Sequence, residues 1–316
     1  MERVKMLAKL SIIIAASTAI TFAQTNQQTN LAPQRTVSPG TINYTEGQVS
    51  LDNQALQNAS AAVVMQPGET ISTGSGFAEV LLTPGAYLRI GHDSEVRLTA
   101  AGLASTQIQL DRGRASVEAD QLIRGTNLAV AMNGATAHLE KTGLYNFSAD
   151  QQTVRVLDGK ANVEAAGGSK NIGKGDELML ASANPLKARG FDMKAEKAEP
   201  LYVWSEARSQ VESQANVAVA QNVAAYGGWY GAGWYWDPFW SSYAFLPGAG
   251  LLYSPFGWGF YSPAFIGYYG VPFGYYGHYY GRYGRVGGFN ARVGGFRASP
   301  GIHSVGGGFH GGGGRR

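Results

Sequence analysis

The chain has 316 residues, with 44 Gly, 6 Trp, 17 Tyr, 13 Phe, no Cys, and 25 Lys+Arg against 22 Asp+Glu. The lack of Cys excludes disulfides, thiolate zinc sites, thiol catalysis and a lipid-modified N-terminal Cys. A formal net charge of +3 gives no global nucleic-acid footprint, and the averages describe neither part of the chain, because residues 226–316 hold 26 of the Gly and 27 of the aromatic residues.

Arg3, Lys5 and Lys9 precede an uncharged run from Leu10 to Phe22, with small residues around Ala23. This order predicts a secretory signal peptide over residues 1–23, since the run falls short of the roughly 20 residues that span a bilayer. The expected location is outside the cytoplasm: periplasmic, cell-envelope associated or extracellular. Residues 24–40 are polar, contain Pro33 and Pro39, and are expected as a linker.

Over residues 41–181 the texture changes to short alternating runs. Phe77 to Leu82, Ala86 to Ile90 and Glu95 to Leu98 are separated by Thr83-Pro84-Gly85 and Gly91-His92-Asp93-Ser94. Leu88 and Ile90 share one face against Arg89; Val96 and Leu98 oppose Glu95 and Arg97. Period two with regular turn residues predicts half-buried antiparallel strands. No run keeps a 3.6 period, so the expected fold is all-β, a hairpin-built sandwich or roll.

Glu46 to Leu51, Arg112 to Val117 and Asp158 to Val163 share an order of charged residue, Gly, polar, small or apolar, polar, branched aliphatic. Each predicts a Gly-permitted turn feeding a strand. The ordered set Gly47-Gln-Val-Ser, Pro67-Gly-Glu-Thr-Ile-Ser-Thr-Gly74, Ala78 to Leu82, Ala86 to Ile90 and Ser94 to Leu98, continued by Thr106 to Ala115, Lys141 to Phe147 and Val154 to Val163, resembles the FecR domain family. The resemblance implies an all-β periplasmic domain, and for regulatory members a role in passing a signal from an outer-membrane transporter to a sigma factor. Those members carry a cytoplasmic segment before a membrane helix. Only nine residues precede the apolar run here, so the expectation is the domain without the sigma-factor contact.

Residues 182–199 are expected as a linker. Residues 200–225 contain no Gly after the opening Pro200 and predict a helix ending at Gly227-Gly228. Leu201, Trp204, Val211, Ala215 and Ala218 lie near one face, interrupted by Arg208, with Trp204 as the anchor against the sheet.

From Pro238 to Gly281 there is no charge, but Pro238, Pro247, Pro255, Pro263 and Pro272 reject a membrane helix. With few aliphatic residues and much Gly, residues 226–316 are expected as a low-complexity, disordered tail able to make ring and guanidinium contacts. Its removal is expected to leave the β domain intact.

No catalytic, cofactor or metal site is predicted. His92, His138, His278, His303 and His310 show no ligand spacing. Gly74-Ser75-Gly76 lacks a nucleophile-elbow pattern, Asp111, Asp158 and Asp176 read as turn residues, and Gly167-Gly168-Ser169-Lys170 is no phosphate loop. The expected function is an exported, non-enzymatic β module whose tail contacts the cell envelope, a polysaccharide, a membrane protein or other copies, with nucleic acid disfavoured. The alternative is a periplasmic signal-sensing component acting through a membrane partner. An enzyme would require a cleft with two facing carboxylates.

Overall fold

The computed structural model describes residues 37–56, 63–180 and 186–270. The expected signal peptide, most of the 24–40 linker and residues 271–316 lie outside them. Strands Thr41–Glu46, Phe77–Leu81, Ala86–Ile90, Arg114–Ala119, Gly143–Ser148, Thr153–Asp158, Asp176–Met179 and Ala188–Gly190 bond side by side in chain order, all antiparallel, into a front sheet. A nine-stranded back sheet runs from Gln54–Ala55 at one edge to Gly168–Gly173 at the other, with one parallel pair, Ser105–Arg112 beside Asn127–Met132. The chain therefore advances across both sheets together, and the antiparallel, all-β expectation holds.

Alternation drives the two sheets together. Val80, Leu88, Ile90, Val117 and Phe147 of the front sheet share one buried cluster with Val96, Leu98, Ile108, Leu110, Val130 and Val163 of the back sheet. Each fully buried aliphatic side chain contributes about 1.5–3 kcal/mol. The three echoed motifs are crossings between the sheets rather than hairpin turns. Gly47, Gly113 and Gly159 stand where the chain leaves one sheet for the other, at φ of 71°, 79° and 97°. A Cβ on Gly159 would collide with the Tyr145 hydroxyl and lie 2.8 Å from the Thr142 carbonyl oxygen.

The stretch expected as a linker over residues 182–199 contains, in its described part, the edge strand Ala188–Gly190 and helix α1, Met193–Glu196. The Asp192 side chain caps α1 by accepting from the N–H groups of Lys194 and Ala195. Helix α2, Pro200–Tyr226, has Pro in its first turn and stops at Gly227, φ 82°. Among the described residues, no helix is long and apolar enough to cross a membrane.

Residues 226–270 depart from the expectation of an unpacked tail. They form hairpins Gly233–Asp237 with Ser242–Leu246 and Leu251–Tyr253 with Gly259–Tyr261, then helix α3, Pro263–Tyr269. Rings supply the core that aliphatic residues do not: Trp234, Tyr243, Phe245 and Phe260 pack with Leu81 and Tyr87 of the front sheet. Pro238 lies in the first hairpin turn, Pro247 just past its second strand, Pro255 in the second turn and Pro263 at the start of α3. These positions need no ladder donor, so the prolines that exclude a membrane helix punctuate a β module.

Candidate functional site

Register aligns the outward-facing residues of the front sheet into a polar row. Glu79 faces Arg89, Arg89 faces Ser116, and the row continues through Asn146, Arg155 and Glu177 to Arg189. Alternation alone predicts half-buried strands here. Instead, Phe77–Leu81 and Ala86–Ile90 are buried on both faces, because α2 and the aromatic hairpins cover this side.

Charge-assisted bonds tie these layers together. Arg89 Nε donates to Glu79 Oε2 at 2.8 Å and Nη1 donates to Glu118. From α2, Arg208 donates to Glu79 Oε1 at 2.9 Å and also to Glu212, while Ser209 donates to Glu118 Oε1 at 2.6 Å. Asn43 Nδ2 donates to Glu79 and Glu212, and its Oδ1 accepts the Tyr243 N–H at 2.8 Å. Asn216 joins both hairpins to α2, donating to the Phe245 carbonyl at 2.7 Å and accepting from the Tyr261 N–H at 2.8 Å. Farther along the row, Arg155 pairs with Glu177 and, at 2.8 Å, with Glu196 of α1.

Four buried carboxyls, Glu79, Glu118, Asp120 and Glu212, meet two buried guanidiniums, Arg89 and Arg208. Burial alone would raise Glu79, but Arg208 and Arg89 outweigh it and hold its pKa at about 2. Burial raises Asp120 well above the usual carboxylate range, with the Glu118 charge adding to it. Burial raises Glu212 in the same way, with the Glu79 charge adding. Ionised, the Asp120 oxygens and Glu212 Oε2 have no donor among the described residues. Protonation of Asp120 and Glu212, the direction in which burial drives both, lowers the negative charge enclosed with the two guanidiniums. Carboxyls do face one another, but they are enclosed beneath α2 rather than set in a cleft, so they offer no solvent-reachable acid–base pair.

The stripe Leu201, Trp204, Val211, Ala215, Ala218 follows the buried face of α2 only in part: Leu201 and Ala215 are buried, and Trp204 and Val211 are half-buried. Ser205, Arg208, Ser209, Glu212, Ser213 and Asn216 are buried, while Ala218 is exposed. Their spacing is helical, so the first part of the contact face is written largely in polar residues that an apolar search passes over, and Val219, Ala220 and Val223 continue it. Trp204 does reach the sheet, stacking on Phe77 at 4.8 Å.

The remaining singled-out residues have local partners. His92 lies in a turn against the Phe77 ring at 4.0 Å, and His138 Nδ1 is 3.0 Å from Asn127 Oδ1. His278, His303 and His310 lie outside the described residues. Asp111 pairs with Arg97, Asp158 accepts from the Gly159 N–H and Asp176 from the Gly173 N–H. Ala166 and Gly167 form a hairpin turn, and Gly168 opens the strand Gly168–Gly173.

The outer surface of residues 226–270 is the other candidate. Tyr226, Tyr230, Phe239, Tyr253, Tyr268 and Tyr269 are exposed. From Ser213 to Gly281 the sequence contains one charged residue, Asp237, and it is buried.

No curated protein matches the chain. Two crystal structures of a candidate anti-sigma factor from Parabacteroides distasonis ATCC 8503 match with TM-scores of 0.36, at 17% and 16% identity, over 41% of this chain. The chain spans 62% and 63% of the length of those structures. Residues 69–162 match the family described as FecR protein, which bears out the resemblance carried by the ordered hairpins.

Proposed function

We propose that this chain is an exported, non-enzymatic β module of FecR type whose Gly- and aromatic-rich segment, residues 226–316, associates with the cell envelope or with itself. The observation that carries the reading is the surface of residues 226–270, where aromatic rings stand in solvent and the single charged residue, Asp237, is buried. Exposed apolar surface of this kind marks contact sites. A membrane protein or polysaccharide of the envelope is a partner class that such rings suit. The test is cell fractionation with N-terminal sequencing. The expected result is full-length protein in the envelope fraction with a mature start near Gln24, and release of a chain ended at Gly270 or bearing Ser at the exposed tyrosines. Cytosolic protein retaining Met1 would overturn it.

The FecR match favours a second reading, a periplasmic signal-sensing component acting through a membrane partner. An envelope-bound chain that keeps residues 1–23 would select this reading over the first.

A further inference from the structure

We infer that exposed tyrosines at the joined ends of α2 and α3 form a contact for an anionic lipid surface, an inference that rests on the envelope-association reading and names its partner. Asn216 of α2 bonds the Tyr261 backbone, and Gly267 of α3 lies against Ala224, whose Cβ is 3.8 Å from the site of a Gly267 Cβ. Helix α3 therefore runs beside α2 in the same direction, and the two helices end at one pole. Tyr226 ends α2 and Tyr268 and Tyr269 end α3; they are 68%, 81% and 69% exposed. Tyr230, 82% exposed, follows Tyr226 closely in the chain.

Charge selects the occupant. The pole is built from a stretch whose single charged residue, Asp237, is buried, so laying it on a bilayer interface desolvates no ion. Tyrosine suits that depth, with its ring among acyl chains and its hydroxyl at the headgroups. The sequence then continues from Gly270 with Arg282, Arg285, Arg292, Arg297, Arg315 and Arg316 and no acidic residue. Weak apolar insertion combined with a basic segment is the two-signal arrangement that holds proteins on anionic membranes. A second copy would meet the same positive charge. A neutral glycan would leave the arginines unpartnered.

The experiment is cosedimentation of purified full-length chain with phosphatidylcholine vesicles and with mixed phosphatidylcholine–phosphatidylglycerol vesicles. The expected result is binding to the mixed vesicles, weakened by salt, and weakened at least about tenfold when Tyr226, Tyr230, Tyr268 and Tyr269 are all changed to Ser. Phe at the same four positions should retain it. An unchanged unfolding midpoint of the Ser variant shows that the loss is one of contact. Absence of vesicle binding, equal binding by the Ser variant, or tighter binding to oligothymidylate or soluble anionic polysaccharide would overturn the inference. Vesicle binding that fails while envelope fractionation persists removes the lipid partner and leaves the envelope reading; failure of both removes that reading too.

Discussion

Arg89 and Glu79 face each other across adjacent strands of the front sheet, joined at 2.8 Å with no solvent exposure on either side chain. Arg89 also holds Glu118, and Glu79 also accepts Arg208 from α2. The pair is therefore the point where the sheet and the helix above it share charge. Replacing Arg89 with Met keeps the stem but leaves buried Glu118 without a guanidinium and Glu79 with Arg208 alone. The expected loss is about 3–5 kcal/mol of unfolding free energy, read from urea denaturation. A loss below about 1 kcal/mol would mean the row is not enclosed as described.

The same cluster sets a pH dependence. Glu79 titrates below its ordinary 4.5, at about 2, so its stabilising contribution is present above pH 4.5 and is lost as pH falls toward 2. Asp120 and Glu212 move the other way, from ordinary values of 3.8 and 4.5 to well above. Folding takes up protons at these two positions. Their favourable term is therefore complete below pH 3.8 and shrinks as pH rises toward their folded values. Asp120→Asn with Glu212→Gln keeps the shape and removes both titrations. The expected outcome is a flatter decline of the thermal midpoint on the alkaline side, with the variant more stable than the parent at pH 8. An unchanged slope would show that neither carboxyl is protonated in the folded chain.

Legibility in the sequence followed from which residues write the pattern. Period two is written in aliphatic residues from Phe77 to Leu98, and both the antiparallel sheets and the FecR match follow it. The covered outer face was hidden for a physical reason. Arg89 and Glu79 have the composition of a solvated face, and only the distant Arg208, Ser209 and Asn43 show that it is buried. The face of α2 is hidden in part, because Ser205, Arg208, Glu212 and Asn216 carry the helical period of its first half in polar side chains, while Leu201 and Ala215 belong to the apolar stripe. In residues 226–270, Gly and Pro content argued against a core, while Trp234, Phe245 and Phe260 provide one with few residues. The polar row is visible only once strand register is known, since its members are spread from Glu79 to Arg189.

The sheet crossings give a local test. Gly159 sits at φ 97° with the Tyr145 hydroxyl and Thr142 carbonyl where a Cβ would go, whereas Gly125, at φ 85°, faces open space. An Ala at Gly125 is expected to lose only the conformational part, about 1–2 kcal/mol. An Ala at Gly159 must also displace backbone and the Tyr145 hydroxyl, which bonds the Lys141 and Lys160 carbonyls. The Gly159→Ala loss should exceed the Gly125→Ala loss by more than about 1 kcal/mol in denaturant unfolding. Equal losses would refute the steric account of the crossing.

Where the chain is cut decides what remains folded. Ending it after Ala225 removes Trp234, Tyr243, Phe245 and Phe260, which cover Leu81 and Tyr87, and takes away the Asn43 and Asn216 partners in both hairpins. Loss of even one such buried ring from a core costs about 3–5 kcal/mol. The chain ended at Ala225 is therefore expected to unfold at a markedly lower temperature and to bind a hydrophobic dye in its folded state. Ending the chain after Gly270 respects the boundary of the compact unit and should leave the midpoint in place. Circular dichroism melts of the two truncations beside the full chain make the comparison. If the cut after Ala225 melted with the full chain, residues 226–270 would not contribute to the core, and the boundary of the β module would return to the end of α2.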